Sequence, residues 1–327
     1  MNESFNNCLL SIQNLSTHFF TEGGTVKAVD GLDLAVSAGE TLGIVGESGC
    51  GKSMTALSIL RLIPTPPGRI VDGRIFFHGV NLLELTDSEM RKIRGKEISM
   101  IFQDPMTSLN PVFTIGDQLC ETIRFHLKLS KKEALNRSVE LLKTVGIPSA
   151  ESRIKDYPHQ LSGGMRQRVM IAIALSCEPK LVLADEPTTA LDVTIQSQIL
   201  DLIQDLKEKT HTAIILITHN LGVVAETAQR VAVMYAGRIY ECAKSDDLFE
   251  NALHPYTKGL MQSIPSIETR LNHLYVIPGV VPSLLKLPAG CKFFSRCKDA
   301  WDKCQKQEPR LIEAGREHYV RCWLYDV

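Results

Sequence analysis

The stretch Gly46-Glu47-Ser48-Gly49-Cys50-Gly51-Lys52-Ser53 decides the fold, because it fills every fixed position of a nucleotide-phosphate loop. The apolar run Thr41–Val45 before it predicts a strand, and Met54–Leu62 after it predict a helix that ends before Pro64. Glycines let the backbone N–H groups of such a loop converge on phosphates, and the helix N-terminus adds the positive end of its dipole. We therefore expect a P-loop α/β fold that binds ATP or GTP.

The residues of this phosphate loop have distinct expected roles. Lys52 is expected to reach the β- and γ-phosphates, and the hydroxyl of Ser53 is expected to bind Mg²⁺. Cys50 fills a variable position, so we expect only its backbone N–H to contribute. The nucleotide-binding candidates in this stretch are Gly46, Glu47, Ser48, Gly49, Cys50, Gly51, Lys52 and Ser53.

Composition narrows the class of protein. At 327 residues, with 44 % hydrophobic and 22 % charged residues, the chain can hold one large soluble domain and a smaller one. A formal net charge of −1 provides no general attraction to nucleic acid. No apolar run approaches the roughly 18 residues that a membrane span needs, and the first residues do not resemble a signal peptide. We expect a cytosolic protein that reaches a membrane only through a partner.

The pattern along the chain alternates between strands and helices. A hairpin is expected at Arg69–Asn81 and helices from Pro111 to Leu175, whereas a Pro- and Cys-rich composition after Asn251 predicts an appended, loop-rich domain. Two short apolar runs, Lys180–Ala184 and Ala213–Thr218, are typical of strands buried on both faces of a parallel sheet. Strands are also predicted at Leu9–Ile12, Val26–Val29, Leu32–Val36 and Thr41–Val45.

An acidic pair follows the first of these buried runs. In Leu181-Val182-Leu183-Ala184-Asp185-Glu186, the apolar residues bury the strand and bring Asp185 to its carboxyl end, where it can bind the Mg²⁺ shell. Glu186 is then placed to polarise the attacking water as a general base. An acidic pair after a strand is common, so this pattern gains weight only beside the phosphate loop.

The segment Leu161-Ser162-Gly163-Gly164-Met165-Arg166-Gln167-Arg168 resembles the signature sequence of ABC-transporter ATPase subunits. The resemblance covers roughly residues 7–250, with the motifs in the family's order and spacing. It implies an α/β P-loop ATPase core in residues 1–250, with an inserted helical subdomain at about 104–178. Residues 251–327 are left for a small extension.

The resemblance implies roles for residues outside the phosphate loop. Gln103 matches the Q-loop glutamine, which touches Mg²⁺ and senses the membrane partner. Ser162, Gly163 and Gly164 match the element that closes over the γ-phosphate of ATP held by the opposing subunit. Ala190-Leu191-Asp192 matches the D-loop, which communicates across the dimer, and His219 matches the switch histidine that contacts the γ-phosphate.

The aromatic residue that stacks on adenine has no single candidate in this sequence. The family often has an aromatic residue that stacks on adenine at the position of Gly23, which cannot stack. Phe20, or Phe19, is therefore the candidate, although either ring could belong to the core.

The resemblance also implies partner subunits. Since each signature completes the site of the other subunit, it implies a second similar ATPase, in a heterodimer or a homodimer. It further implies two transmembrane permease subunits, an indirect link to a periplasmic or extracellular solute-binding protein, and a peripheral position on the cytoplasmic face of the inner membrane.

The C-terminal part narrows the expected cargo. Leu253-His254-Pro255-Tyr256-Thr257-Lys258-Gly259-Leu260, followed by Ser263-Ile264-Pro265, resembles the extension of the oligopeptide/dipeptide importer branch. Importers of nickel, glutathione and antimicrobial peptides share this branch and are the alternatives. Two classes of ATPase outside transport match the sequence less well. Soluble ATPases of DNA repair insert a coiled coil or zinc module between the phosphate loop and the signature, whereas only about 110 residues separate Lys52 from Ser162 here. Translation-associated ATPases usually carry two cassettes in one chain, and this chain has one.

Four cysteines crowd the end of the chain with the spacing C-x5-C-x6-C-x17-C: Cys291, Cys297, Cys304 and Cys322. In a reducing compartment such a cluster suggests a metal before it suggests disulfides. In members of the resembled branch, this tail is associated with a [4Fe–4S] cluster. Four thiolates could equally bind Zn²⁺ in a tetrahedral site. Free or disulfide-bonded cysteines are the third alternative. Structural zinc sites usually contain C-x2-C pairs, which are absent among these four cysteines, so the spacing favours the iron–sulfur cluster over zinc.

Overall fold

A computed structural model describes residues 8–189, 192–263 and 275–326 of the chain. These residues form two compact units. The first unit contains the described residues of Met1–Val36, Thr41–Leu83 and Thr218–Val327, and the second contains Ser37–Glu40 and Glu84–Ile217.

The N-terminal part of the first unit contains a four-stranded antiparallel sheet in the order β2-β1-β4-β5. The two elements that flank the phosphate loop, β3 and α1, lie between β2 and β4 in the chain. Two long strands replace the three short ones expected before Thr41, because the gap between the expected strands Val26–Val29 and Leu32–Val36 is a bulge at Gly31 within β2, opposite Leu15 and Ser16. The elements are β1 (Leu10–Thr21), β2 (Gly24–Val36), β3 (Thr41–Val45), α1 (Lys52–Ile59), β4 (Gly68–Phe77) and β5 (Val80–Asn81).

The second unit combines three parallel strands with most of the helices. Every residue of its strands β7 and β8 is buried, which confirms the expectation of strands buried on both faces. The strands pair in the order β8-β7-β6, and the expected helical stretch is divided into four helices, α4 to α7. The elements are α2 (Asp87–Ile93), β6 (Ile98–Ile101), α3 (Pro105–Ser108), α4 (Ile115–Leu127), α5 (Lys131–Thr144), α6 (Ala150–Arg153), α7 (Gly163–Leu175), β7 (Leu181–Asp185), α8 (Val193–Thr210) and β8 (Ala213–Ile217).

The C-terminal part returns to the first unit and adds strands beside β3. These strands follow the order β11-β12-β10-β9-β3, in which β3 and β9 are parallel and the other pairs antiparallel. The elements are α9 (Leu221–Thr227), β9 (Arg230–Tyr235), β10 (Arg238–Lys244), α10 (Ser245–Glu250), α11 (Pro255–Gln262), α12 (Asp302–Lys306), β11 (Ile312–Gly315) and β12 (His318–Val320).

An aromatic cluster joins the extension to the strands that precede it. Tyr235 of β9, Tyr240 of β10, Tyr256 of α11 and Phe293 are all buried and pack ring against ring, with centroids 4.7–5.6 Å from the Tyr235 ring. The extension therefore shares one apolar core with β9 and β10. Among the described helices, none combines the length and the apolar character that crossing a bilayer requires.

Candidate functional site

The phosphate loop follows β3 and leads directly into α1. Gly46 and Gly51 have φ values of 152° and 109°, which favour glycine. A Cβ on Gly46 would lie 2.1 Å from the carbonyl oxygen of Met234, and one on Gly51 would lie 2.2 Å from that of Ala28. The close backbone approach explains why these two positions require glycine. Helix α1 begins at Lys52, two residues earlier than expected, so the last two residues of the phosphate loop, Lys52 and Ser53, are already helical.

Lys52 is buried and lies against the backbone of its own loop. Its Nζ donates to the carbonyl oxygens of Gly46 at 2.8 Å and Glu47 at 3.2 Å. The thiol of Cys50 is also buried, and this burial raises its pKa. The backbone N–H of Cys50 donates to the carbonyl oxygen of Glu47 at 3.3 Å. The loop therefore encloses one cationic group, while its cysteine remains a neutral thiol.

The acidic pair lies at the carboxyl end of β7, as its position in the sequence predicts. Asp185 is the last residue of the strand and is buried. Glu186 follows with φ +46°, a left-handed conformation that is uncommon for a non-glycine residue, and its N–H donates to the Ile217 carbonyl oxygen at 2.8 Å. Such backbone strain concentrates at functional positions.

Two side chains fix the carboxylate of Glu186. The amide Nε2 of Gln103 donates to its Oε2 at 3.0 Å, although the two residues are 83 positions apart. The hydroxyl of Thr189 donates to the same oxygen at 2.8 Å. The fold therefore brings the Q-loop candidate and the candidate base together. Sequence reasoning missed Thr189, although its place three residues after Glu186 was a usable signal for a turn contact.

The signature segment forms the start of α7. Ser162 is the N-cap, and its hydroxyl accepts the N–H of Met165 at 3.3 Å. Gly163 is exposed, and a Cβ there would meet nothing within 4 Å. In the same unit the buried amide of Gln167 donates to the carbonyl oxygen of Pro187, directly after the acidic pair. The signature helix is thus hydrogen-bonded to the segment that carries Glu186.

The other candidates lie at the ends of elements. His219 is exposed and follows β8, next to Asn220, which caps α9. Phe20 lies near the end of β1 with 52 % of its surface exposed, so its ring is not part of the core. Asp192 caps α8 by accepting the N–H of Ile195 at 2.9 Å. Ala190 and Leu191 of the expected D-loop, and Ile264-Pro265 of the expected extension, lie outside the described residues.

The four C-terminal cysteines line one small pocket, together with His254 and Trp323. Burial raises the pKa of Cys291 to about 12 and that of Cys322 to about 11, so both thiols are protonated at neutral pH. Within the described residues, no group of three or more His, Cys, Asp or Glu side chains is arranged to hold a metal ion. The structure thus brings the predicted cysteines together but does not place them as a ligand set, and the expected metal-binding extension gains no support from this geometry.

Two family models match the chain. The first, described as ABC transporter, covers residues 29–189, and the second, described as the C-terminal region of oligopeptide/dipeptide transporters, covers residues 240–304. The first match contains the phosphate loop, Gln103, the signature and the acidic pair. The second contains Tyr256 and three of the four clustered cysteines.

Curated relatives match nearly the whole chain. The oligopeptide transport ATP-binding protein AppD of Bacillus subtilis (strain 168) is 55 % identical over 97 % of this chain and 97 % of its own length. The dipeptide transport ATP-binding protein DppD of the same organism is 52 % identical over 97 % of this chain and 95 % of its length. Among solved structures, the dimeric ATP-binding cassette MJ0796 bound to ADP and Pi has a TM-score of 0.65 and 28 % identity, covering 72 % of this chain and 98 % of that one.

Proposed function

We propose a transport role from one premise: the chain belongs to the ABC-transporter family, as an ATP-binding subunit of the oligopeptide/dipeptide branch. As such a subunit it is an ATP hydrolase coupled to transport. The proposed cargo is di- or oligopeptides, and the observation that carries it is the identity of 52–55 % to transport proteins of those two names over almost the full chain. The cassette in residues 1–250 and the extension in 251–327 are our proposed division of labour.

The proposed chemistry assigns a role to each side chain of the site. Glu186, held by Gln103 and Thr189, accepts a proton from the water that attacks the γ-phosphorus of ATP. Lys52, with the backbone N–H groups of its loop, stabilises the phosphate charge. His219 is assigned to the γ-phosphate, and Phe20 to adenine. The products are ADP and inorganic phosphate.

Three residues of the site carry oxygen donors of the kind that the proposed magnesium ion would need. The hydroxyl of Ser53, in the first turn of α1, the buried carboxylate of Asp185 and the amide oxygen of Gln103 are hard oxygen ligands of the kind that Mg²⁺ prefers. The chemistry that such an ion would supply is positive charge that neutralises the phosphates of ATP.

Exposure of Ser162 and Gly163 supports the proposed assembly. Ser162, Gly163 and Gly164 are proposed to bind the ATP held by a second ATPase subunit, which is either a related chain or another copy of this one. A dimeric neighbour with ADP and Pi supports this arrangement by analogy. We further propose two permease subunits as membrane partners, a solute-binding protein acting through them, and a peripheral position on the cytoplasmic face.

The cargo can be tested in the native host by replacing the chromosomal copy with a Glu186→Gln allele. We expect uptake of a labelled di- or tripeptide to fall to background while uptake of labelled nickel is unchanged, because a hydrolysis-deficient ATPase stalls only its own transporter. Glu178→Gln is the matched control, because Glu178 pairs with Arg137 on the surface and should leave uptake intact. Loss of nickel uptake alone would move the cargo to the nickel alternative, and an unchanged uptake of both would reject both assignments.

We also propose that the cysteine pocket holds a [4Fe–4S] cluster, with Zn²⁺ as the alternative. The shared pocket and the four-cysteine spacing support a metal, whereas the present placement of the thiols does not. Since metal ligation requires thiolates, a bound metal would have to overcome the raised pKa of Cys291 and Cys322.

Metal analysis of the anaerobically purified chain distinguishes these alternatives. We expect about four iron and four sulfide per chain, with broad visible absorption, and their loss in Cys304→Ser. The buried Cys177 lies outside the pocket, so Cys177→Ser should retain the metal. Zinc without sulfide would replace the cluster by a zinc site, and a metal-free protein would leave four structural thiols.

A further inference from the structure

Glu47, the second residue of the phosphate loop, is held in place by residues of the C-terminal extension. Helix α11 begins with Pro255 after the N-cap His254, whose ring Nδ1 accepts the N–H of Tyr256 at 3.0 Å. Burial lowers the pKa of His254 to about 4, so its ring is neutral and can accept this bond. Tyr256 is fully buried, and its hydroxyl oxygen accepts the backbone N–H of Glu47 at 2.9 Å.

The side chain of the same glutamate is held by an arginine of the extension. Both guanidinium NH groups of Arg296 donate to the carboxylate of Glu47, at 2.7 and 2.9 Å, and only 3 % of the arginine side chain is exposed. Arg296 also donates through Nε to the Pro278 carbonyl oxygen at 3.0 Å and through Nη1 to the Tyr235 hydroxyl oxygen at 3.3 Å. These contacts fix the orientation of the guanidinium.

The two contacts restrain one residue at both its main chain and its side chain. Glu47 lies between Gly46, whose φ of 152° admits almost only glycine, and the rest of the loop. Its carbonyl oxygen accepts from Lys52 and from the N–H of Cys50, so a shift of Glu47 would move the lysine to which we assign the phosphates of ATP. A loop ordered before its ligand arrives binds more tightly, because less conformational entropy is lost on binding.

We propose that Arg296 and Tyr256 are positioning residues of the phosphate loop, so that the extension sets the affinity of the chain for the phosphates of ATP. The inference rests on the proposed role of this loop as the nucleotide site. It assigns to the extension a function within the ATPase itself, and the phosphate chemistry remains that of Lys52 and its loop.

The test measures binding of a fluorescent ATP analogue to the full-length chain, and the KM and kcat of ATP hydrolysis. Arg296→Gln removes the bidentate charge pair, and we expect the dissociation constant and KM to rise about tenfold or more. We expect kcat at saturating ATP to change much less, since the base Glu186 is untouched. Tyr256→Phe removes a single hydroxyl and should raise the dissociation constant by several fold, about 3- to 10-fold.

A matched control separates positioning from general stability. Arg321 is also a buried arginine of the extension, but it donates to the carbonyl oxygens of Ile239 and Pro309 instead of Glu47. Arg321→Gln should lower the melting temperature while leaving ATP affinity unchanged. Glu47→Gln should weaken binding like Arg296→Gln, and the double variant should be no weaker than either single variant, because both remove the same contact.

The outcomes are decisive even if one variant is unstable. Normal ATP affinity in Arg296→Gln, or equal losses of affinity in it and in Arg321→Gln, would overturn the proposal. If Arg296→Gln does not fold, Tyr256→Phe decides by the same criterion. Should Lys52→Ala leave ATP binding intact as well, the assignment of the nucleotide site fails; if only Lys52→Ala weakens binding, the positioning role alone is rejected.

Discussion

The Glu186→Gln variant should bind ATP with nearly normal affinity but hydrolyse it about 10²- to 10⁴-fold more slowly, the range that loss of a general base typically produces. The substitution preserves the volume of the side chain, and the amide oxygen can still accept the hydrogen bonds of Gln103 and Thr189. What it removes is the proposed proton acceptor for the attacking water. ATP should then persist between the two subunits of the proposed dimer, so the closed dimer should accumulate. Steady-state phosphate release and size-exclusion chromatography with ATP measure the two effects.

A neighbouring substitution provides the control for this result. Thr189→Val removes one hydrogen bond to Glu186 but leaves the carboxylate in place. We expect a smaller loss of kcat than in Glu186→Gln, since the base is misoriented but not absent. Turnover of Glu186→Gln within a few fold of the unmodified chain would exclude Glu186 as the base.

The Lys52→Ala variant should fail at an earlier step, because it removes the cation of the phosphate loop. Hydrogen bonds to charged groups contribute about 1.5–3 kcal/mol, so the dissociation constant of ATP should rise about 10- to 100-fold. The lysine also bonds the carbonyl oxygens of Gly46 and Glu47, and its loss therefore relaxes the loop itself. Isothermal titration with ATP and Mg²⁺ measures the change.

Lys207→Ala is the matched control for Lys52→Ala. Lys207 is comparably buried, in α8 of the second unit, and burial lowers its pKa. Its replacement should cost stability without changing ATP affinity. If both lysine variants weaken ATP binding equally, the loss reflects a general loosening of the fold and not the phosphate loop.

The sequence predicted the phosphate loop, the buried strands and the acidic pair because each depends on residues adjacent in the chain. Glycine at positions 46 and 51 and the apolar run before Asp185 determine local backbone geometry almost unaided. The sequence predicted two separate strands, Val26–Val29 and Leu32–Val36, where the structure has one strand with a bulge at Gly31, because a glycine that interrupts an apolar pattern is compatible with either structure.

The contacts that cross long stretches of sequence could not be predicted. Arg296 and Glu47 are 249 positions apart, and Glu47 occupies a variable position of its motif, so nothing local marks the pair. The link from Gln103 to Glu186 likewise depends on how β6 and β7 align. For the cysteines, spacing along the chain suggested a ligand set, whereas ligation depends on where the thiols point in three dimensions.

The pairing of β12 with β10 determines what truncation of the chain would expose. In a chain cut near residue 250, β10 would lose its partner strand at Glu241 and Cys242 and would expose backbone N–H and C=O groups there, on a strand with five of its seven residues buried in the present fold. Exposed apolar strands of this kind act as templates for intermolecular β-pairing and aggregation. We therefore expect a chain cut at this point to aggregate more readily than the full-length chain, because residues of the extension cover this edge of β10.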